Sequence, residues 1–490
     1  MPLSRFLRIL TGRTPDTERL PPPQVFFGNT LSGHKEVFIP QKAGIALMYS
    51  CGPTSYDRAH VGNLRSYIFS DLIARVLSVA GYRVRRVINI TDFGHLVSDG
   101  DEGDDKMTKG LLREGLSLTM ENMRMLSEKY AAFFIDDLAR VGLPIEDISF
   151  PRASDYIPEQ IALITTLEQK GYAYRTKGGV YFDTSRFPGY GKLGGINVLN
   201  QQTGTRAKEN KEKRHPADFV LWKPDSKLGW ESPWGLGFPG WHIECSAMSR
   251  SLLGQEIDIH TGGEDLVAVH HNNEIAQSES ASGRAFAHYW MHNAFLLMAG
   301  EKASKSLGNV VYLSDITQKG FPPLALRYFF LQAHYRTPLS FSWDALAGAT
   351  QALTRLWKIS RTLAEESRRR GTPSEASIRF VATQRDDLAT PQALGVIWEC
   401  LKSDEYSPEE KWGLIETADA HLGLSLVTPP PNIREEEEVP LEVRDLLARR
   451  EEARAAKEWE TADDMRSRIE EYGYRIDDGP DEPVLIKRTF

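Results

Sequence analysis

The chain has 490 residues, of which 41% are hydrophobic and 10% aromatic, with a formal net charge of −8. That content can bury several cores and excludes a fibre or a low-complexity tail, and the acidic balance means that nucleic-acid binding would need local basic patches. No apolar run approaches the roughly 20 residues of a membrane helix. Three widely separated cysteines, Cys51, Cys245 and Cys400, exclude a disulfide framework and suit a reducing compartment. A cytoplasmic protein that makes no use of a membrane is expected.

Residues 1–25 carry Arg5, Arg8, Arg13 and Arg19 around a short apolar patch without a secretory core, and read as an N-terminal extension. IALMYSCG at 45–52, the helically spaced run at 67–80 and the β-rich VRRVINIT at 84–91 predict strand, helix and strand, one turn of a parallel α/β sheet. Ligands usually sit at the carboxyl ends of such strands. An acidic stretch, Asp99 to Asp105, reads as a solvated loop before a long helical region at 107–142. Residues 151–230 combine a helix at 157–171, glycine-rich β material and the basic run Arg206 to His215, and look like an insertion. Strands are expected again at 256–261 and 294–298, then helices from 322 to about 425. TPPPNIREEEEVP at 428–440 reads as a linker to a closing helix-plus-β module.

Several clusters carry chemistry, each with a plain structural reading beside it. Spacing of four puts His270 and Glu274 on one helical face, which suits a shared metal and is also common in surface pairs. Cys51 and Cys245 could complete a zinc set, although their sequence separation is unlike that of a local zinc ribbon. AHVGN, Ala59 to Asn63, stands where a strand hands over to a helix, and is either a phosphate-facing helix start or a turn. EKASKSLGN, Glu301 to Asn309, is either a polyphosphate clamp or a solvated loop. Gly235, Gly237 and Gly240 fit G-x-G-x-x-G, but Pro239 and the lack of a βαβ unit argue against a dinucleotide role. Cys400 reads as a buried helix residue.

The strings CGPTSYDRAHVGNLRSYIFSDLI, GWHIECSAMS, DIHTGGEDL, HHNNEIAQSES, HNAFLL, KASKSLGN and LALRYFFLQAHYRTPLSFSW resemble, in order, the hallmarks of the cysteinyl-tRNA synthetases, over nearly the whole chain from about residue 26. The resemblance implies an α/β fold: a Rossmann-like class I catalytic domain in two halves, 26–150 and 231–322, split by the insertion at 151–230. A helical tRNA-binding bundle at 323–427, the linker at 428–440 and a C-terminal tRNA-binding module at 441–490 would follow. It also implies ATP-dependent activation of L-cysteine and its transfer to tRNA(Cys), with Mg²⁺ accompanying ATP and one zinc ion per chain. By matching positions, His60, Gly62 and Asn63 of AHVGN and Lys302, Ser304 and Lys305 of KASKS would bind ATP, with His60, Asn63, Lys302 and Lys305 catalytic. Cys51, Cys245, His270 and Glu274 would hold zinc, and Gly52, Thr54, Trp241, His260 and Asp265 would surround the cysteine. A monomer is expected.

The sequence departs from the family at Ala303, where methionine is usual, and at Phe238, Thr261 and Asn272. None of these removes a proposed zinc ligand. Two rival readings are a shorter relative that acylates an amino sugar and a zinc-containing binding paralogue that has lost catalysis.

Overall fold

The computed structural model describes residues 23–93, 106–195, 212–298, 301–302, 310–431, 441–478 and 483–487. The acidic stretch, most of the extension, Ala303, Ser304 and Lys305 lie outside these residues, as do parts of the basic run and the linker. Among the described residues no helix is long and apolar enough to cross a membrane.

A hairpin, β1 (Phe26–Asn29) and β2 (His34–Val37), precedes the central sheet. The chain enters that sheet at β3 (Ile45–Ser50), crosses by α1 (Val61–Val79) to β4 (Arg83–Ile88), and runs through α2 (Lys106–Arg113) and α3 (Met120–Arg140) to the short β5 (Ile148–Ser149). The helical region expected at 107–142 is thus two helices. Gly115, at φ 69°, takes the left-handed backbone that glycine tolerates, and Thr119 then caps α3 by accepting from the Asn122 amide.

Helix α4 (Ile157–Gln169) leads into a four-stranded antiparallel sheet of β6 (Ala173–Thr176), β7 (Gly179–Phe182), β8 (Phe219–Pro224) and β9 (Gly237–Pro239). This sheet includes Gly237–Pro239, beyond residue 230. Its glycines serve packing: a Cβ on Gly237 would lie 2.2 Å from the Lys223 carbonyl oxygen, and one on Gly240 would lie 2.1 Å from that of Val220. Helix α5 (Trp241–Leu252) then returns the chain to the parallel sheet at β10 (Ile257–Gly263), and α6 (Asn272–Ser282) precedes β11 (Ala287–Asn293).

The spatial order is β11-β10-β3-β4-β5, every neighbouring pair parallel. IALMYS has alternate residues pointing to opposite faces, and all but its first residue are buried, as befits the middle strand of a sheet covered on both sides. Winding reverses between β3 and β10, and that reversal opens a crevice at the strands' carboxyl ends.

Beyond the sheet lie β12 (Leu296–Met298), β13 (Glu301–Lys302), α7 (Leu313–Gln318), α8 (Pro323–Leu331) and β14 (Leu339–Phe341). The bundle follows with α9 (Trp343–Glu366), α10 (Glu375–Arg385), α11 (Thr390–Lys402) and α12 (Pro408–Leu422). Ser342, Ser374 and Ser407 cap α9, α10 and α12, each accepting a backbone N–H of the first turn. One apolar cluster runs from Leu64 and Ile68 of α1 through Phe329 to Leu353, Ile397, Cys400 and Trp412, so catalytic core and bundle share an interior. At their junction the buried Asp71 carboxylate accepts from Arg75 at 2.6 Å, Arg86 at 2.8 Å and Arg327 at 2.6 Å. The last module, α13 (Leu441–Ala455), α14 (Trp459–Glu471), β15 (Tyr474–Asp478) and β16 (Pro483–Lys487), has its own small core around Val443, Met465 and Ile469.

Candidate functional site

Cys51 follows β3 at the point where the winding reverses, and Cys245 reaches it from α5 with the sulfurs 4.0 Å apart. His270 and Glu274 come from a π-helical turn, Val267–His271, that runs into α6. One-turn π insertions often mark functional sites, because they rotate the following side chains relative to the preceding strand. His270 Nε2 lies 2.9 Å from Glu274 Oε1, and Cys51 Sγ lies 3.5 Å from the same oxygen. The structure therefore brings Cys51, Cys245, His270 and Glu274 together, with one donor atom of each within 4.8 Å of the others.

A second donor set of the same compactness overlaps the first: Cys51, His260, His271 and Glu274. His260 projects from β10 and puts Nε2 at 2.7 Å from Glu274 Oε2, while His271 Nε2 lies 3.3 Å from Cys51 Sγ. Sequence reasoning had no role for His271, although the His-His doublet was there to prompt one.

These residues fit a cation. His260 Nε2, His270 Nε2 and Glu274 Oε2 are buried and close to one another's side chains, yet lack aligned hydrogen-bond partners. Close approach without alignment is what donors converging on a common centre give, and a mixed sulfur, imidazole and carboxylate set suits a borderline-soft divalent ion. Burial alone raises the Glu274 pKa, but the imidazoles of His260 and His270 hold it well below the usual carboxylate range. A hydrogen bond from Cys51 lowers the Cys245 thiol, whereas burial raises Cys51 well above the usual thiol range.

The surroundings orient these donors. His242 Nδ1 pairs with His270 Nδ1 at 2.8 Å, and the Trp241 ring lies 4.4 Å from that of His270. Gly52 donates to Asn89 Oδ1 at 2.8 Å, and a Cβ on Gly52 would lie 1.4 Å from the Asn89 carbonyl oxygen, so this position admits only glycine. Thr54 bridges Thr91, whose hydroxyl donates to the buried Glu244 at 2.7 Å. Burial pushes the Glu244 carboxyl well above the usual carboxylate range. Asp265 lies exposed on the helical turn Glu264–Leu266 that follows β10.

On the other side of the crevice, His60 is the N-cap of α1. Its Nδ1 accepts from the Asn63 amide at 3.3 Å, and Asn63 Oδ1 accepts from the His60 amide at 3.1 Å. Gly62 sits in that first turn, where the positive end of the helix dipole favours an anion. His60 also bridges Tyr312, and the Val61 amide donates to the Val311 carbonyl at 2.9 Å. Lys302 of β13 pairs with Leu297 of β12. The described residues on either side of 303–309 are thereby tied to the catalytic half, one of them at the start of α1.

A parallel sheet with a reversal crevice, a capped helix start facing it and an antiparallel insertion between its halves define a class, and comparison with known proteins agrees. Residues 37–351 match the family model for the tRNA synthetases class I (C) catalytic domain. Mycobacterium tuberculosis methionyl-tRNA synthetase bound by methionyl-adenylate aligns with a TM-score of 0.53 and 14% identity, covering 82% of this chain and 94% of that one. A LeuRS–tRNA–LeuAMS ternary complex from Agrobacterium radiobacter aligns at 0.56 and 11%, covering 81% and 86%. At these identities the likeness is one of fold. The chain is a class I aminoacyl-tRNA synthetase.

Residues 436–482 match the cysteinyl-tRNA ligase anticodon binding domain. The cysteine–tRNA ligase 1 of Burkholderia lata is 45% identical over 455 residues, 92% of this chain and 94% of that protein. The cysteine–tRNA ligase of Treponema denticola is 38% identical over 482 residues, and that of Thermus thermophilus 39% over 476. The chain belongs to the cysteine–tRNA ligase family.

Proposed function

We propose that this enzyme activates L-cysteine with ATP, transfers it to tRNA(Cys), and recognises the substrate thiolate through one zinc ion held by Cys51, Cys245, His270 and Glu274. The observation that carries the proposal is the convergent donor set, with Cys245, His270 and Glu274 buried and Cys51 half-buried, and its unaligned polar atoms at the reversal crevice. Zinc bound there would supply selective affinity for sulfur over the hard hydroxyl of serine, a larger discrimination than the roughly 10 to 200-fold of an apolar pocket.

Around that centre Gly52, Thr54, Trp241, His260 and Asp265 would shape the cysteine pocket. His60, Gly62 and Asn63 at the start of α1 would receive ATP, brought in with Mg²⁺, and Lys302, Ser304 and Lys305 would neutralise charge on its phosphates. Acceleration would come mainly from positioning and electrostatics, as in other phosphoryl chemistry. The bundle at 323–427 and the module at 441–490 would hold tRNA. The anticodon-domain match over 436–482 argues against an amino-sugar acceptor. A cytoplasmic monomer completes the proposal.

Metal analysis joined to cysteine-dependent pyrophosphate exchange and tRNA aminoacylation tests it. About one zinc per chain and charging with cysteine in strong preference to serine are expected. Full activity in zinc-free protein would overturn the role of the metal.

A further inference from the structure

We propose that Thr30 is a positioning residue for the cysteine site, whose hydroxyl begins a hydrogen-bonded relay through His292 and His271 that ends on Cys51 Sγ. The inference rests on the reading of Cys51 as a metal ligand.

The geometry is continuous. Thr30 Oγ1 lies 2.7 Å from His292 Nδ1, His292 Nε2 lies 2.8 Å from His271 Nδ1, and His271 Nε2 lies 3.3 Å from Cys51 Sγ. Both imidazoles are buried, and each uses its two ring nitrogens on two different partners. A neutral imidazole donates from one nitrogen and accepts at the other, so fixing one end fixes the chain. A metal-bound sulfur is a thiolate and accepts. His271 Nε2–H then donates to Cys51, His271 Nδ1 accepts from His292 Nε2–H, and His292 Nδ1 accepts from the Thr30 hydroxyl. The thiolate sets these tautomers, and the Thr30 hydroxyl supplies the donor that the last imidazole nitrogen then needs, which keeps an N–H directed at the sulfur. Partners of this kind orient metal ligands and tune their basicity.

Thr30 is held for the task. Its amide donates to the Trp290 carbonyl at 2.8 Å, while Asn29 accepts from the Trp290 amide at 3.0 Å and donates to the His288 carbonyl at 2.9 Å. The end of β1 is therefore stitched along β11, the strand that carries His292. Ring planes are set as well. His260 stacks on Trp290 with centroids 4.6 Å apart and lies 4.5 Å from His271.

The test compares T30V, T30S and C51A in the full-length, zinc-loaded enzyme. Zinc affinity is read by chelator competition and cysteine activation by pyrophosphate exchange. T30V keeps volume and removes the donor. It should weaken zinc retention about 10-fold or more and raise KM for cysteine, with kcat and KM for ATP little changed and the thermal midpoint close to the parent. T30S should restore both readouts. Parent-like zinc affinity and cysteine KM in T30V, or a T30S as impaired as T30V, would overturn the relay. Should T30V not fold, T30A is read the same way. C51A separates the two layers: zinc retention by C51A would remove the underlying metal reading, whereas loss in C51A with none in T30V would remove the relay alone.

Discussion

At the scale of single residues the proposed zinc site would depend on two soft donors, Cys51 and Cys245. Cys245 faces Cys51 at 4.0 Å and also approaches Asn89 Oδ1 at 3.7 Å, so a serine there would keep the volume and lose the sulfur. Cys245→Ser should lower zinc stoichiometry and cysteine-dependent pyrophosphate exchange together, by at least about 10-fold in activity, as metal analysis and exchange rates on one preparation would reveal. Parent-like exchange with metal lost would separate the two. His270 and Glu274 were legible as a pair because one helical turn joins them. Cys51 and Cys245 acquired meaning from the family resemblance, since 194 residues part them and no local spacing links them. His271, His292, Asn89 and Glu244 were not singled out because each meets a partner from another part of the chain. A single sequence does not display such pairings.

Among the elements, those that begin with a clear cap or carry a buried apolar run were readable. The strand expected at 45–52 is β3, the helix at 157–171 is α4, and the serine caps of the bundle helices stand in plain sequence. The region at 107–142 misled because apolar spacing continues across Gly115, and only the backbone reveals the left-handed break. The π-helical turn at Val267–His271 was hidden for a similar reason: one inserted residue leaves composition unchanged while it redirects two histidines. KASKS begins at Lys302 in β13, and the described chain resumes before Val311 and Tyr312, beside His60 and Val61. If this segment meets phosphate as proposed, its charge should act most on the state in which phosphate charge develops. Lys305→Ala should lower kcat of pyrophosphate exchange by roughly 10²-fold or more while raising KM for ATP only slightly. An equal loss confined to KM would assign that lysine to ground-state binding instead.

Over the whole molecule two kinds of joint hold the parts. The first is buried and ionic. Asp71 joins α1, β4 and α8 through Arg75, Arg86 and Arg327, so Asp71→Asn leaves three guanidiniums around a neutral amide and should cost about 3–5 kcal/mol of stability by denaturant titration. Burial raises the Asp71 pKa, but Arg75, Arg327 and Arg86 override it and hold the carboxyl well below its usual range. Its contribution is therefore present above the unfolded value near about 3.9 and lost as pH falls toward the folded one, so acid should erode the parent's stability advantage over Asp71→Asn. The second joint is light. The C-terminal module meets α9 through Gln351 to the Leu485 carbonyl at 3.3 Å and Arg475 to Asp344 at 3.1 Å. Truncation near residue 435 should leave cysteine-dependent exchange nearly intact and weaken aminoacylation, with salt-sensitive tRNA binding in the full chain; undiminished charging would withdraw the tRNA role of the module. The order of strands also sets a schedule. Met48 of β3 pairs with Ile259 of β10, across the whole insertion. A ribosome adding about 5–20 residues per second makes Cys51 roughly 10–40 s before Cys245, given the 194 residues between them. Through that interval the nascent chain holds one sulfur of the set and none of the imidazole or carboxylate donors. Metal capture by the proposed four would thus be a late event in the birth of the enzyme, and uptake of zinc by ribosome-bound chains would time the closing of its central sheet.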